Sequence, residues 1–194
     1  MKFKNYINEQ EFNQREQDII RYLEDCKPFL RDWEKCNTND LLMSGRKKMD
    51  NYFIGKVRKN RRPMNTKKEM HDKLDGLFNE KFGVKPRSNS LFCTSLYNVA
   101  DGYGSFVYVI FPIGKYKIIW SKDVDDLFIR LGSPREHVNL DKIVDSYETG
   151  NLCEALDSDS EIMLLCDEYL ALNTNAFRYP YEPNKIISMI YEVI

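Results

Sequence analysis

The apolar positions near the start of the chain follow a helical period. They lie three, four or seven residues apart, at Phe12, Ile19, Leu23, Cys26, Leu30 and Trp33. This spacing places them on one face of a helix over residues 9–33. Pro28 interrupts the pattern, and a proline inside a helix kinks or breaks it, so one kinked helix and two shorter helices both fit the sequence. We interpret residues 1–38 as an N-terminal helical arm that packs on a main domain, residues 39–194.

A second helical pattern follows an intervening basic stretch. Its apolar stripe consists of Met70, Leu74, Leu77 and Phe78, and Gly83 lies just beyond its end. The segment Thr66-Lys-Lys-Glu69 has the form of a capping box, in which the two outer side chains bond the first free amides of a helix. We therefore expect this helix to begin at Thr66.

From Ser88 onward, short apolar runs alternate with glycine, proline and aspartate. They predict strands at 91–93, 106–111, 116–120, 161–166 and 169–172, with an earlier short strand at 41–43. Short helices are predicted between these strands, over 96–103, from Val124, and from Ser133-Pro134 to Gly150. The apolar run 186–194 could close the sheet, although its period does not decide its type. Helices followed by a mostly antiparallel sheet predict the α+β class.

The net charge of −1 over 194 residues conceals an asymmetry. Residues 1–87 carry 21 Lys and Arg against 14 Asp and Glu, whereas residues 88–194 carry 8 against 16. Segment 46–68 alone holds ten basic residues and one acid, Asp50. Such a segment suits phosphates, a nucleic-acid backbone or an acidic partner. A solvated surface that pairs with the acidic half of the chain is an equally good interpretation.

Composition excludes several classes of protein. The chain has no apolar run near the roughly 18 residues that a membrane span needs, and its first residues turn polar too soon for a secretion signal, so we expect a cytoplasmic protein without a membrane partner. With only His71 and His137 available, catalysis should rely on carboxylates rather than on a metal. The cysteines are odd in number and lack any C-x-x-C pair, which predicts reduced thiols at Cys26, Cys36, Cys93, Cys153 and Cys166.

Three short motifs follow one another along the chain. Arg46 comes after the apolar residues 41–43, Phe92-Cys-Thr-Ser95 ends a predicted strand, and Asp159-Ser-Glu161 precedes an apolar strand. In this order they resemble the arginine, Ser-Thr-Ser and Glu-x-Glu motifs of toxin-like ADP-ribosyltransferases, over residues 40–172. Segment 61–114 also resembles transferase-like proteins of large bacteriophages. The resemblance implies an ADP-ribosyltransferase-like fold, a mostly antiparallel split sheet with flanking helices.

The resemblance also implies an activity. A member of this family cleaves the nicotinamide glycosidic bond of NAD, its substrate, and transfers ADP-ribose to a macromolecular acceptor. For a phage-encoded protein the acceptor would be a host or phage macromolecule, a protein in the first instance, with nucleic acid as the alternative through segment 46–68. The protein would then act in the host cytoplasm or be associated with the virion.

The carboxylates of the third motif would carry out the chemistry. Cleavage of NAD develops positive charge on the ribose, and a carboxylate such as Glu161 stabilises that charge. Asp159 lies two residues earlier, so on a strand it would project from the same face and could orient or deprotonate the acceptor. Because Asp159 replaces the first glutamate of the family motif, the acceptor side chain does not follow from it.

The other motif residues would bind NAD. The planar fork of Arg46 suits the pyrophosphate. The hydroxyls of Thr94 and Ser95, after Cys93, would hold the strand end and Glu161 in place. A ring, Phe92 or Tyr103, would stack on nicotinamide.

Two departures from the family pattern affect this assignment. Cys93 replaces the first serine of the second motif, and a thiol is a weak hydrogen-bond partner. Gly45 precedes Arg46, whereas the family arginine usually comes before its glycine. If Arg46 is not the pyrophosphate anchor, Arg61, Arg62 or Arg87 could replace it.

Each candidate also has a purely structural interpretation. Phe92 and Tyr103 suit a core, and residues 94–95 suit a helix cap. Asp159 suits a turn, and Glu161 could face solvent on an edge strand. The alternative function is accordingly a non-catalytic protein of the same fold that contacts a host protein or nucleic acid through segment 46–68. A third interpretation is hydrolysis of NAD, with water as the acceptor.

Overall fold

The computed structural model describes residues 2–62, 66–127, 139–175 and 185–194, with the side chains of 2–13 and 185 left aside. The helices in these ranges are α1 (Lys2–Asp25), α2 (Lys27–Glu34), α3 (Lys68–Phe82), α4 (Pro86–Asn89), α5 (Tyr97–Tyr103), α6 (Leu140–Asp145), α7 (Leu152–Asp157) and α8 (Lys185–Tyr191). The strands are β1 (Met43–Arg46), β2 (Tyr52–Lys56), β3 (Leu91–Cys93), β4 (Phe106–Ile113), β5 (Lys117–Trp120), β6 (Glu148–Thr149), β7 (Ile162–Leu165) and β8 (Glu168–Asn173).

The strands form two four-stranded sheets. The first has the order β1-β4-β8-β2 and the second the order β3-β7-β5-β6, with antiparallel pairing between the neighbours in each. An isolated bridge between Met43 and Thr94 joins the start of β1 to the end of β3, so the two sheets meet there. The α+β class and the antiparallel sheet are confirmed. Membership of the ADP-ribosyltransferase-like fold stays a prediction.

The N-terminal arm consists of two helices. Helix α1 ends at Asp25 and α2 begins at Lys27 with Pro28 in its first turn, where a missing amide proton costs nothing. The predicted stripe from Ile19 to Trp33 is buried, with each of its residues at most 1% exposed. It packs on the first sheet, where the ring of Phe29 meets that of Phe111 edge to face at 6.2 Å. The arm and the first sheet therefore share one hydrophobic core, and Phe12 falls among the side chains left aside.

The prediction of five reduced thiols is wrong. Cys36, after α2, and Cys153, in α7, form a disulfide. Helix α2 packs against α7 and brings the two Cα atoms to 4.8 Å, within the range that a disulfide spans. The remaining cysteines, Cys26, Cys93 and Cys166, are free and buried. The disulfide ties the arm to the helix that precedes Glu161.

Segment 46–68 is more ordered than the predicted basic loop. The expected strand at 41–43 lies slightly later, as β1, and residues 52–56 form the unpredicted strand β2, which pairs with β8 at the edge of the first sheet. The capping box is also wrong, because α3 begins at Lys68 and has no side-chain cap. The Thr66 hydroxyl instead accepts a bond from Arg87 Nη2 at 3.3 Å.

The remaining predictions of secondary structure meet different outcomes. The run 186–194 does not close the sheet, because residues 185–191 form α8, whose Met189 and Ile190 are buried in the first core. The expected strand from Glu161 begins one residue later, as β7. The helix predicted from Val124 falls largely on 128–138, outside the described residues. The helix predicted from Ser133 to Gly150 is confirmed over α6, but its end is wrong, because Glu148 and Thr149 form β6. Helix α5 is confirmed, although Leu96, Val99 and Tyr103 around it are exposed rather than buried.

Candidate active-site cleft

A cleft of about 540 Å³ opens where the two sheets meet, a volume typical of ligand sites. One wall comes from the first sheet, namely the end of β1, the end of β2 with the loop after it, and Tyr169 of β8. The opposite wall comes from β3 and from Glu161, which directly precedes β7. Further lining residues include His71 of α3, Arg87 of α4, Tyr103 of α5 and Asp126. The junction of the sheets thus places side chains from distant parts of the chain around one space.

The lining of this cleft is strongly basic. It contains two carboxylates, Glu161 and Asp126. Against these stand six cationic side chains: Arg46, Lys56, Arg58, Arg61, Arg62 and Arg87. Such an excess of fixed positive charge inside a concave surface attracts an anionic ligand.

Glu161 is the carboxylate at the centre of this arrangement. Its backbone amide donates to the carbonyl oxygen of Asp125 at 2.8 Å, which fixes the residue just before β7 begins. The side chain is half-buried, and its Oε1 atom is enclosed without a hydrogen-bond partner among the described residues. Burial, reinforced by the charge of Asp126, raises the pKa of Glu161 to about 7, although Arg87 and Arg61 act in the opposite direction. Glu161 therefore changes its charge near neutral pH.

Asp126 supplies the second carboxylate of the cleft. Its Oδ2 accepts a hydrogen bond from the Tyr103 hydroxyl at 2.5 Å. Tyr103 lines the cleft and is 55% exposed, so its hydroxyl is held while the side chain stays accessible. Burial of the hydroxyl and its bond to Asp126 raise the pKa of Tyr103, which therefore acts as a neutral donor.

Arg87 is held in the cleft by a buried carboxylate from α3. Its backbone amide donates to Asp75 Oδ1 at 2.9 Å, and the Ser88 hydroxyl donates to Asp75 Oδ2. The arginine is only 7% exposed, and its Nε has no hydrogen-bond partner in the described part of the chain. Because a buried guanidinium is costly unless it is paired, Arg87 is a prime candidate for contact with an anion.

His71 belongs to the same network, although it does not form a catalytic triad. Its Nε2 lies 3.0 Å from Ser88 Oγ and 3.5 Å from Asp75 Oδ2, so serine and carboxylate share one ring nitrogen. A triad needs them on opposite nitrogens. Burial lowers the pKa of His71, partly offset by Asp75, and the imidazole is neutral at pH 7. The network therefore orients the turn that carries Arg87.

Arg61 connects this turn to the opposite wall. Its backbone amide donates to the Ser88 carbonyl at 2.9 Å, and its Nη2 donates to the Arg87 carbonyl at 3.0 Å. The guanidinium lies over the ring of Phe92, 4.0 Å from the ring centroid. One face of Phe92 is thus occupied by Arg61, which leaves Tyr103 as the more accessible of the two predicted stacking rings.

Arg46 lies at the end of β1 and reaches across the first sheet. Its Nη2 donates to the Tyr169 hydroxyl at 2.7 Å, and its Nε has no partner among the described residues. Glycines allow the end of α5 to pack directly on β1. A Cβ at Gly45 would overlap the carbonyl oxygen of Ala100, and a Cβ at Gly104 would overlap the backbone of Arg46. This close approach brings Tyr103 to the same cleft as Arg46.

The structure brings together four of the predicted site residues. Arg46, Phe92, Tyr103 and Glu161 all line the cleft. Asp159 does not, because it is exposed in a turn, with φ of +58°, and the strand that would have aligned it with Glu161 begins only at Ile162.

Cys93, Thr94 and Ser95 are buried and do not line the cleft. Burial raises the pKa of the Cys93 thiol, so this residue is not a nucleophile at neutral pH. The Thr94 hydroxyl accepts a bond from the amide of Leu96 at 3.1 Å and thereby stabilises the turn into α5. Cys93 pairs with Ile162, and extending this register by one residue would put Thr94 opposite Glu161. From that position Thr94 supports the backbone next to Glu161 rather than contacting a ligand.

Sequence reasoning missed Asp126 and named Arg61 and Arg87 only as substitutes for Arg46. Asp126 follows β5, and β5 pairs with β7 so that Ile119 lies opposite Met163. Continuing that pairing carries the end of β5 to the start of β7, next to Glu161. The only signal for Asp126 in the sequence was its place in an acidic pair, Asp125-Asp126, shortly after β5. That signal points to the cleft only once the pairing of β5 with β7 is known.

Polar atoms without partners concentrate in this cleft. Among the described residues, buried side-chain nitrogen or oxygen atoms without a hydrogen bond occur in five that line the cleft: Arg46, His71, Arg87, Ser90 and Glu161. Leaving such an atom unpaired costs about 1–3 kcal/mol. Buried polar groups are usually satisfied, and clusters of exceptions are characteristic of sites that bind a polar ligand.

Searches against protein-family models, curated proteins and solved structures return no match to this chain. Within the described ranges, no three His, Cys, Asp or Glu side chains are grouped so that they could hold a metal ion. No described helix is long and apolar enough to cross a membrane. The chemistry of the cleft residues is therefore the basis for a functional proposal.

The raised pKa of Glu161 leads to a prediction about pH. Any reaction that needs the ionised carboxylate should accelerate as the pH rises through about 7. Asp126→Asn removes a neighbouring negative charge but keeps an oxygen for Tyr103, so we expect the rising limb of the pH–rate profile to shift to lower pH. The exposed Asp123→Asn, with the same change of charge, should leave the profile in place. An unshifted limb in Asp126→Asn would mean that Glu161 does not control the rate.

Proposed function

We propose that this protein is a mono-ADP-ribosyltransferase that uses NAD as its substrate. The observation that carries the proposal is a half-buried glutamate, Glu161, with a pKa near 7 in a cleft whose walls carry three fixed arginines. A carboxylate of this kind suits a reaction that develops positive charge, and the arginines suit a pyrophosphate. The resemblance of three sequence motifs to this family points to the same reaction.

The arginines of the inner cleft would bind the pyrophosphate. Arg87 and Arg61 are fixed through the turn that begins α4, and Arg46 is fixed through Tyr169. Each keeps donor atoms for phosphate oxygens, and guanidinium groups bind phosphate through paired hydrogen bonds. Phe92 lines the cleft beside Arg61, and its ring would contact nicotinamide, which leaves the exposed Tyr103 for the acceptor.

Glu161 would then assist cleavage of the glycosidic bond. The bond between the ribose anomeric carbon and the nicotinamide nitrogen breaks, and its electron pair leaves with neutral nicotinamide. The ionised Glu161 stabilises the positive charge that develops on the ribose. A lone pair of the acceptor forms the new bond to the same carbon, and the acceptor loses a proton, for which Asp126 is the nearby carboxylate. Water in place of the acceptor would give ADP-ribose, the hydrolytic variant.

The proposal is tested by incubating the purified protein with NAD labelled in its adenylate phosphate, with and without a cell lysate. Nicotinamide release measures bond cleavage, and label retained on macromolecules measures transfer. Release without retention would indicate hydrolysis. If the protein neither releases nicotinamide nor binds NAD, both reactions are ruled out. That result would favour the alternative, a non-catalytic protein that binds a partner through segment 46–68.

A substitution at Arg87 tests the phosphate site. Arg87→Lys keeps the charge but loses the planar fork, so we expect KM for NAD to rise about 10–100-fold with a smaller change in kcat. The neighbouring cation Lys85 is exposed and lies outside this cleft, which makes Lys85→Ala the matched control. Steady-state kinetics of nicotinamide release give both constants, and thermal unfolding checks that the variant folds. An unchanged KM would remove Arg87 from the binding site.

A further inference from the structure

The cations of the cleft fall into two groups that differ in exposure. Arg87 is buried, Arg46 and Arg61 are half-buried, and each bonds a neighbouring group. Arg58 and Arg62 line the same cleft but are exposed, and neither has a hydrogen-bond or ion-pair partner among the described residues. The inner group suffices for the two phosphates of a dinucleotide. The outer group, Arg58 and Arg62, is in excess of that need.

Surface acids account for only part of segment 46–68. Four of its lysines form exposed ion pairs at 2.5–3.3 Å, namely Lys48 with Asp50, Lys56 with Glu168, Lys59 with Asp167, and Lys68 with Asp72. Exposed pairs of this kind are weak, and their lysines can exchange one anion for another. Arg58 and Arg62 make no such pair within the described ranges, so no described acid offsets the charge of these two cleft-lining arginines.

An exposed aromatic side chain lines the same cleft. Tyr103 is 55% exposed, and its hydroxyl is held by Asp126 at 2.5 Å. A ring fixed in this way loses little conformational freedom when a flat group stacks on it. A basic groove that includes an accessible aromatic ring is the combination that binds single-stranded nucleic acid, because each base can stack on such a ring.

From this combination we infer that the macromolecular acceptor is single-stranded nucleic acid, whose phosphates contact Arg58 and Arg62. This inference rests on the proposed function for the transfer step. A duplex fits less well, because its bases are stacked and paired and their atoms cannot approach a half-buried carboxylate such as Glu161 without leaving the helix. An acidic protein would match the charge and could pair its carboxylates with the guanidinium forks, but it would not supply a flat base to stack on the exposed ring.

The transfer step on such an acceptor needs no reactant besides NAD and the strand. A base nitrogen or a terminal phosphate oxygen of the strand donates its lone pair to the ribose carbon as nicotinamide leaves with the electrons of the broken bond. A base nitrogen releases its proton to Asp126 or to water, whereas an ionised phosphate has no proton to release. No oxidant, reductant or metal is consumed.

Binding can be tested without NAD turnover. The probes are fluorescein-labelled single strands of DNA and of RNA, each about 12 nucleotides long, and the DNA duplex of the same sequence. We expect the protein to bind a single strand more tightly than the duplex. The paired variant Arg58→Ala/Arg62→Ala should weaken binding at least about tenfold and reduce the slope of log K against log salt by about 1.4. Arg31→Ala/Lys122→Ala removes two exposed cations outside the cleft and should bind as the wild type does.

Transfer is tested with labelled NAD and the same strands. Label that appears on an oligonucleotide, and that is lost after nuclease treatment, would support the inference, and the DNA and RNA arms identify the strand. Label confined to lysate proteins would overturn it in favour of a protein acceptor, with the transferase activity intact. Equal oligonucleotide binding by both paired variants would overturn the role of Arg58 and Arg62. Strand binding without any NAD cleavage would overturn the acceptor role together with the transferase.

Discussion

Glu161→Gln should lower kcat for nicotinamide release by about 10³-fold while KM for NAD changes little. The amide keeps the shape of the side chain but cannot carry the negative charge that offsets the developing charge on the ribose. Because the proposed contacts to the pyrophosphate come from Arg46, Arg61 and Arg87, binding should survive the substitution. The measurement is steady-state release of nicotinamide at pH 8, where the wild-type carboxylate is ionised.

The matched control for this substitution is Asp157→Asn. Asp157 is an exposed carboxylate at the end of α7, four residues before Glu161, and it does not line the cleft. The Asp157→Asn variant should release nicotinamide at the wild-type rate. Retention of more than a tenth of the activity by Glu161→Gln would contradict the proposed role of the carboxylate, provided that the variant still binds NAD.

Local sequence patterns predicted the elements that have a clear helical period or an unbroken apolar run. The stripe from Ile19 to Trp33 has the helical period, β4 is the unbroken run, and both are buried. Strand β2 was missed because Lys56 and a glycine dilute its short apolar run. The final segment was ambiguous because a short apolar run fits a strand and a buried helix equally well. Tertiary packing of Met189 and Ile190 decides in favour of the helix.

The candidate site was predictable only as far as its residues lie in recognisable local patterns. Glu161 precedes an apolar strand, and Arg46 ends one, so both attracted attention in the sequence. The position of Asp126 depends on the pairing of β5 with β7, which a single sequence does not reveal. Asp159 was expected beside Glu161 because the strand was assumed to include both. The positive φ of Asp159 instead ends the turn before the strand starts.

Thr94 and Ser95, two buried residues of the second motif, have a structural position rather than a place in the cleft lining. Thr94 pairs with Met43 through backbone hydrogen bonds of 2.7 and 3.0 Å. This bridge connects β1, which carries Arg46, with the end of β3, which pairs with β7, the strand that follows Glu161. A substitution at Thr94 or Ser95 would therefore alter the cleft by shifting its walls. This supporting position is consistent with the role that the family resemblance assigns to the motif.

Loss of the Cys36–Cys153 disulfide should destabilise the protein by about 2–4 kcal/mol. The bond closes a loop with a sequence separation of 117 residues, and a cross-link over such a loop restricts the unfolded chain strongly. Cys36→Ser and Cys153→Ser should each lose this stability, and the double variant should lose no more than either single variant, since all three remove the same bond. Urea unfolding without a reductant measures the loss.

A reductant provides the internal control for this prediction. Dithiothreitol should lower the unfolding midpoint of the wild type to that of the variants and leave the variants unchanged. Thiol titration of the unfolded wild type should find the three free cysteines, Cys26, Cys93 and Cys166, before reduction and all five after it. Five reactive thiols before reduction, or a midpoint insensitive to dithiothreitol, would show that the bond is absent. Because α7 leads directly to Glu161, loss of the bond should also lower nicotinamide release near the unfolding midpoint, where the variants open first.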